Sequence, residues 1–269
     1  MLLKLTAGYR LDLNQIARIA WFCNDPINQN LKGSSIAEQL GISYARLQRL
    51  WMMASALGLG TKGTWKTTDL GSVILQYDRF LDNLGTLWLL HYIISSNPEI
   101  IVWNTMVNHV LPENNVATMA LAKTYFASLL EDFSQESFDK HLNKEINSFF
   151  GAYTTQYFAE LRYLQEESHK AYTLGNHEPV PPRIFCAGLV SYRERFAPRA
   201  VTIDVPILAN EENSPGRVFD LTERQVRDLL EDVETLGYVF VETRADLDQV
   251  RFRDTYNFLD MVCQHYEGR

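Results

Sequence analysis

The sequence predicts a mainly α-helical protein with small β-hairpins. Apolar residues recur at helical spacing through most of the chain. Gly41 separates two short helical segments, which is typical of a helix-turn-helix. Residues 85–94 are apolar on all sides, as in a central helix covered by its neighbours. We therefore expect an N-terminal winged helix-turn-helix domain (1–80), a central helical bundle (81–175) and a C-terminal winged-helix-like helix plus hairpin (183–269).

The first two elements are helices with recognisable ends. Helical spacing predicts an amphipathic helix over residues 12–23, which ends before Pro26 because proline cannot continue the hydrogen-bond ladder. Ser35 and Glu38 have the spacing of a capping box and are predicted to start the second helix. Gly41 suits the left-handed residue that ends it.

The third helix and the segment after it complete the predicted winged helix. Ser43 is the predicted N-cap of the helix, and residues 57–68, which contain three glycines, are predicted to form a small hairpin. In such motifs the N-terminal half of the second helix enters the major groove. Between residues 39 and 68 there are four basic residues and no acidic one, although the whole chain has a formal net charge of −8.

This local reversal of charge predicts contact with double-stranded DNA. Arginine binds guanine edges or phosphates, and lysines on a hairpin suit phosphates. The alternative is a packing or protein-docking module whose arginines are merely solvated. The predicted DNA-binding residues of this segment are Ser43, Tyr44, Arg46, Gln48, Arg49, Lys62 and Lys66.

The middle of the chain is predicted to be helical after a turn at residues 69–71. Helices are expected at 85–94, 100–110, 116–131 and 134–150, the last capped by Ser134 and continuing helically to residue 167. His91 is the one ionisable residue of the central apolar run, and a core histidine is a more frequent role there than a ligand. One hypothesis is that four residues of this region converge as a catalytic group, although a structural role is the more frequent one for each: Asp82, His91, Glu99 and His109.

A proline-rich segment at residues 175–182 is the clearest linker, because three prolines in four positions force an extended chain. A second basic stretch follows it, and the alternatives are phosphate binding and a solvated helix face. Its arginines are Arg183, Arg193, Arg195 and Arg199.

The C-terminal part repeats the helix-plus-hairpin pattern with the opposite charge. A polar turn at 210–216 precedes a helix that a capping box of Thr222 and Gln225 opens. Strands at 238–241 and 249–252 are predicted to form a hairpin around Ala245 and Asp246, before a closing helix at 255–267. Residues 217–253 contain six basic and nine acidic residues, which favours packing or partner docking over phosphate binding.

Composition excludes several other classes of protein. Cys23, Cys186 and Cys263 are far apart and in no CxxC pair, so neither a disulfide framework nor a thiolate zinc site is predicted. The histidines are also scattered, and no structural metal is expected. The chain shows neither a signal peptide nor a membrane-spanning run, so we expect a cytoplasmic protein without a membrane partner.

Three stretches resemble the bacterial DUF4007 family. Leu40-Gly41 through Trp51 is similar to the family's helix-turn-helix segment, and Thr86 to His91 reads TLWLLH, with a related element at Trp103 to His109. Ser214 to Phe219 reads SPGRVF and is followed by Leu247 to Arg251. The chain departs from the family at its start, where Tyr9 stands in place of a histidine.

This resemblance implies a DNA-binding component of a bacterial DNA phosphorothioation system, which defends against phage and contains other sulfur-modification proteins. SspB-like members nick DNA, and a nicking activity would call for a divalent metal as cofactor. No nuclease motif stands out in the sequence, so the catalytic residues stay unknown. The alternatives are a non-catalytic winged-helix adaptor and a transcription regulator.

Overall fold

A computed structural model describes residues 3–128, 135–244, 247–253 and 256–268. These residues are mainly helical with two three-stranded antiparallel sheets, as the fold-class prediction requires. They form two compact units, residues 1–178 and 179–269, and the boundary falls in the proline-rich segment. The further division of the first unit near residue 80 stays a prediction.

The first unit contains eight labelled helices and one sheet within the described residues. Short 3-10 helices lie at Pro26–Asn28 and Tyr157–Leu161, and a π-helical turn at Met106–Val110 continues α6. Strands β1 (Ala117–Thr118), β2 (Leu164–Ser168) and β3 (Ala171–Leu174) pair in the order β1-β3-β2. The helices are α1 (Leu13–Asn24), α2 (Gly33–Leu40), α3 (Tyr44–Ala56), α4 (Asp69–Tyr77), α5 (Leu84–Ser95), α6 (Ile101–Thr105), α7 (Met119–Thr124) and α8 (Gln135–Thr154).

The helix-turn-helix forms from α2 and α3, which pack on each other, and α3 also packs on α1. Gly41 ends α2 with a left-handed φ of 65°, and the Ser43 side chain caps α3 by accepting from the backbone N–H of Arg46. The predicted capping box is wrong, because α2 already begins at Gly33 and Ser35 lies inside its first turn. The N-cap is Lys32, whose side chain makes no capping hydrogen bond.

The segment after α3 is less regular than a hairpin. Its β-pairing is a single bridge between Gly60 and Thr67. The turn predicted at residues 69–71 is wrong, because Thr68 caps these residues as the first turn of α4. The helix-turn-helix is thus present, while its description as a winged helix stays an interpretation.

The apolar run forms α5, which is the centre of the first unit's core. His91 is fully buried, and its Nδ1 lies 2.5 Å from the hydroxyl of Tyr153. Burial raises the pKa of that tyrosine. The Trp88 and Tyr163 rings also pack edge-on or tilted against the His91 ring. His91 is therefore a core residue.

The helical prediction is only partly correct, because residues 116–128 include a strand and residues 155–167 include a 3-10 helix and a strand. The first range contains β1 and the short α7, while α8 ends at Thr154 and is followed by β2. Four of the five β2 residues are exposed, so the strand lacks the apolar alternation that would reveal it. The predicted cap Ser134 lies outside the described residues.

The second unit packs α9 against α12 and α13, beside a sheet of order β4-β6-β5. The Thr222–Gln225 capping box is confirmed. The predicted polar turn lies at residues 211–214, while residues 210, 215 and 216 belong to the flanking helices, and the tip at Ala245 and Asp246 lies outside the described residues. The elements are α9 (Pro182–Phe196), β4 (Thr202–Asp204), α10 (Val205–Asn210), α11 (Pro215–Val218), α12 (Glu223–Thr235), β5 (Val239–Arg244), β6 (Leu247–Phe252) and α13 (Phe258–Glu267).

The three cysteines are free, and burial raises the pKa of the Cys23 and Cys186 thiols to about 12. Their thiolates, the reactive form, are therefore scarce at neutral pH. Within the described ranges, every helix is too short or too polar to cross a membrane.

Candidate nucleic-acid interface

Helix α3 presents its predicted DNA-binding residues on two different sides. Tyr44 and Gln48 are one turn apart on one side and line a cleft, and both are exposed. Arg46 is exposed, whereas Arg49, one turn further along the helix, is only half-exposed. The four side chains therefore cannot be treated as one recognition surface.

Arg49 is occupied by another segment of the same chain. Its Nη1 donates to the backbone carbonyls of Lys4, at 2.8 Å, and Leu5, at 3.2 Å. These contacts correct the expectation that Arg49 is a solvated phosphate ligand. The residue holds the N-terminal segment against α3.

Arg49→Ala is therefore expected to lower the free energy of unfolding by about 1–3 kcal/mol, because hydrogen bonds from a charged group are lost. Thermal or urea unfolding measures this. The matched control is Arg46→Ala, which removes an exposed arginine from the same helix and is expected to change stability by less than about 0.5 kcal/mol. Equal stability of the two variants would contradict the structural role of Arg49.

The same N-terminal segment is fixed on its other side by Glu145 of α8. This carboxylate is 1% exposed and accepts from the Thr6 backbone N–H and hydroxyl, each at 3.0 Å, and from the Ala7 N–H at 2.6 Å. Burial raises the pKa of Glu145, while these hydrogen bonds and the charge of Arg49 act against the rise. Residues 4–8 are thus held between α3 and α8.

This arrangement gathers basic residues that are far apart in the sequence. Lys4, Lys140 and Lys144 are exposed and lie near His141, whose pKa is lowered first by desolvation and then by their three positive charges. The stem of Lys144 lies against Gly8, whose missing Cβ would be 3.2 Å from the lysine Cδ. Gly8 has a φ of 88°, which a side chain would disfavour.

Arg10 is exposed and lines an open depression of about 330 Å³ together with Lys144. We call Arg46, Lys4, Lys140, Lys144 and Arg10 the cationic ridge. Sequence analysis missed all of it except Arg46. Lys140 and Lys144 have the i,i+4 spacing that places them on one helix face, which was a usable signal.

The remaining predicted residues of the first unit lie beside the cleft. Lys62 and Lys66 are exposed on the loop after α3, and Lys62 lines the cleft with Tyr44 and Gln48. Ser43 is exposed but acts as the N-cap of α3. The side chains of Lys62 and Lys66 are therefore accessible, whereas the Ser43 hydroxyl is used by the cap.

The second basic stretch is only partly exposed. Arg183 Nε donates to the Tyr238 hydroxyl at 3.2 Å, and Arg193 Nε donates to the Ala200 carbonyl at 3.0 Å. Arg183 and Arg193 therefore have structural contacts within the second unit, which count against their predicted role in phosphate binding. Arg195 and Arg199 are exposed.

The structure does not bring together the four residues of the hypothetical catalytic group. His91 is buried, and His109 lies 3.2 Å from the Glu113 carboxylate. Asp82 and Glu99 are exposed. Over residues 3–128, 135–244, 247–253 and 256–268, no three His, Cys, Asp or Glu side chains are grouped so that they could hold a metal ion.

The sequence model of the family described as protein of unknown function (DUF4007) matches residues 38–266. The chain belongs to the DUF4007 family. Its fold is similar to a magnesium ion-bound SspB crystal structure, with a TM-score of 0.80, 17% identity, and coverage of 98% of this chain and 88% of that one. A second SspB crystal structure matches with a TM-score of 0.77, 18% identity and the same coverage. No curated protein matches the sequence.

Proposed function

We propose that this DUF4007 protein is a duplex-DNA-binding component of a bacterial DNA phosphorothioation system that defends against phage. The observation that carries the proposal is the cationic ridge, five exposed basic residues on one unit of a chain with a formal net charge of −8. The similarity of its fold to SspB supports the choice of system. Other proteins of that system are its expected partners.

The ridge suits a phosphate backbone because its charges come from three segments held in fixed relation. Arg49 joins α3 to the N-terminal segment, and Glu145 joins that segment to α8. A rigid set of cations releases counterions from DNA without first losing much conformational freedom. The surrounding negative charge repels DNA elsewhere and so favours one orientation.

Arg46→Ala tests the contribution of α3. We expect duplex affinity to fall about eightfold at 0.1 M salt, and the slope of log K against log salt to become shallower by about 0.9, the amount for one phosphate contact. Fluorescence anisotropy over a salt series measures both. If Arg46 contacts a base edge instead, affinity falls with little change in slope.

The matched control for this experiment is Arg195→Ala, an exposed arginine of the second unit. A fall in affinity as large as that of Arg46→Ala would show that net charge, rather than α3, controls binding. It would thereby contradict the assignment of duplex contact to the first unit. Arg195 and Arg199 would then be the better candidates for the phosphate contacts.

The second unit is proposed to dock a partner protein, because residues 217–253 carry a net charge of −3. DNA nicking stays a prediction. Incubation with supercoiled plasmid, with and without magnesium or manganese, tests it. Relaxation that depends on the protein would support a nickase, whereas retained binding without relaxation would favour a non-catalytic adaptor.

A further inference from the structure

The cleft beside α3 has a volume of about 500 Å³ and is formed entirely by the first unit. One wall is the side of α3 that carries Tyr44 and Gln48. The loop at 61–65 and the turn at 97–100 complete it. The cleft therefore opens next to a helix that the proposed function places against DNA.

Aromatic rings line this cleft in a fixed arrangement. The centroids of Tyr44 and Trp65 are 6.3 Å apart, and Trp65 also packs on Trp51 at 5.7 Å. A Cβ at Gly33 would come within 2.7 Å of both the Tyr44 and Trp65 rings, so glycine permits their position. The Trp51 indole N–H donates to the Thr64 carbonyl at 2.5 Å, which holds the loop on α3.

The Tyr44 ring remains available despite these contacts. It is 46% exposed, which is high for a large aromatic side chain with packed neighbours. A flat, exposed ring that is already immobilised offers a stacking surface at little cost in conformational entropy. The occupant should therefore present a planar face of its own.

Polar groups around the rings narrow the choice of occupant. The Gln48 amide can both donate and accept, and the exposed Glu99 carboxylate accepts from amino groups. Lys62 is exposed and supplies a positive charge for a phosphate. A planar ring with an amino group and an attached phosphate can interact with Gln48, Glu99 and Lys62. An apolar peptide side chain can form a polar interaction with none of them.

We propose that this cleft receives one unpaired nucleobase that carries an exocyclic amino group, which is adenine, cytosine or guanine but not thymine. The base stacks on Tyr44, its amino group donates to Glu99, and a flanking phosphate lies near Lys62. This inference rests on the proposed function, because the base must belong to duplex DNA that the first unit already holds.

The test compares full-length protein binding to four duplexes of one sequence, measured by anisotropy. One is fully paired, and the others carry a single-residue bulge of adenine, thymine or an abasic residue. We expect the adenine bulge to bind about tenfold tighter than the paired duplex, since base stacking on an aromatic side chain is worth about that factor. The abasic bulge has similar flexibility without a base and should show no such gain.

Tyr44→Ala should reduce the ratio of adenine-bulge to paired affinity toward one. Glu99→Gln should reduce the preference for adenine over thymine. Phe80→Ala is the matched control, because it removes another exposed aromatic ring of the same unit, one that does not line the cleft, and should leave the ratio unchanged. Circular dichroism spectra and melting temperatures confirm that each variant is folded.

Several outcomes would overturn this inference. They are equal affinity for all four duplexes, an equal gain from the abasic bulge, and a ratio that survives Tyr44→Ala. If binding depends on salt but has the same affinity with and without a bulge, only the proposed binding of a nucleobase in the cleft is refuted. Failure to bind any duplex would instead refute the proposed function.

Discussion

Replacing Lys140 and Lys144 together by alanine is expected to weaken duplex-DNA binding about 60-fold at 0.1 M salt. Each lost phosphate contact removes about 0.9 from the slope of log K against log salt, so the slope should become shallower by about 1.8. Both lysines are exposed on α8 and lie near Lys4. Anisotropy titrations between about 50 and 200 mM salt measure both the affinity and the salt slope.

The control is Arg162→Ala with Lys170→Ala, which removes the same charge from the same unit. Arg162 is exposed and pairs with Glu178, and Lys170 is exposed in the turn between β2 and β3. We expect this pair to change the affinity less than about threefold, because neither residue belongs to the ridge. Similar losses in the two double variants would mean that overall charge, rather than the ridge, attracts DNA.

Glu145→Ala is expected to have the largest effect on stability, about 3 kcal/mol in the free energy of unfolding. The change leaves the Thr6 and Ala7 backbone N–H groups without their buried acceptor, and it removes one of the two acceptors of the Thr6 hydroxyl. For a unit of this size the melting temperature should fall by about 6–12 °C. Calorimetry measures the fall.

Hydrogen exchange should localise the effect of Glu145→Ala to residues 4–8 and the adjoining part of α8. The control is Glu160→Ala, which removes an exposed carboxylate near the same segment and should leave the melting temperature within about 2 °C. A melting temperature for Glu145→Ala that matches this control would show that the N-terminal segment does not depend on the buried carboxylate.

Sequence patterns predicted those helices and helix ends whose determinants lie within a few neighbouring residues. The run at residues 85–94 is apolar on every side, so a buried helix followed from sequence alone. Gly41 and Ser43 act within one or two residues of their positions, and both end or start the predicted helices. Strand β2 was missed because its exposed residues provide no alternating pattern.

The candidate site depended on contacts that no local pattern contains. Lys4 and Lys140 are 136 positions apart in the sequence, yet both lie near His141, because Glu145 binds the backbone of residues 6–7. Arg49 fits a recognition helix by spacing, yet its guanidinium binds the carbonyls of residues 4–5. Counting charges along the chain therefore identified Arg46 as an exposed cation. It also predicted a DNA contact for Arg49, whose guanidinium is bound within the chain.

The same reasoning applies to the second basic stretch. Four arginines within residues 183–199 suggested one phosphate-binding surface. Tyr238 and the Ala200 carbonyl hold two of them, and only the folded chain brings these partners into reach. A cluster of like charges in sequence is thus a weak predictor of a charged surface when the helix carrying it is partly buried.

The salt dependence of binding by the unaltered protein tests the central claim most directly. Five phosphate contacts, from Arg46, Lys4, Lys140, Lys144 and Arg10, predict a slope of log K against log salt of about −4.5 on a random-sequence duplex. Anisotropy titrations with a labelled duplex at several salt concentrations give this slope. A slope near zero, or no binding at about 50 mM salt, would contradict the account.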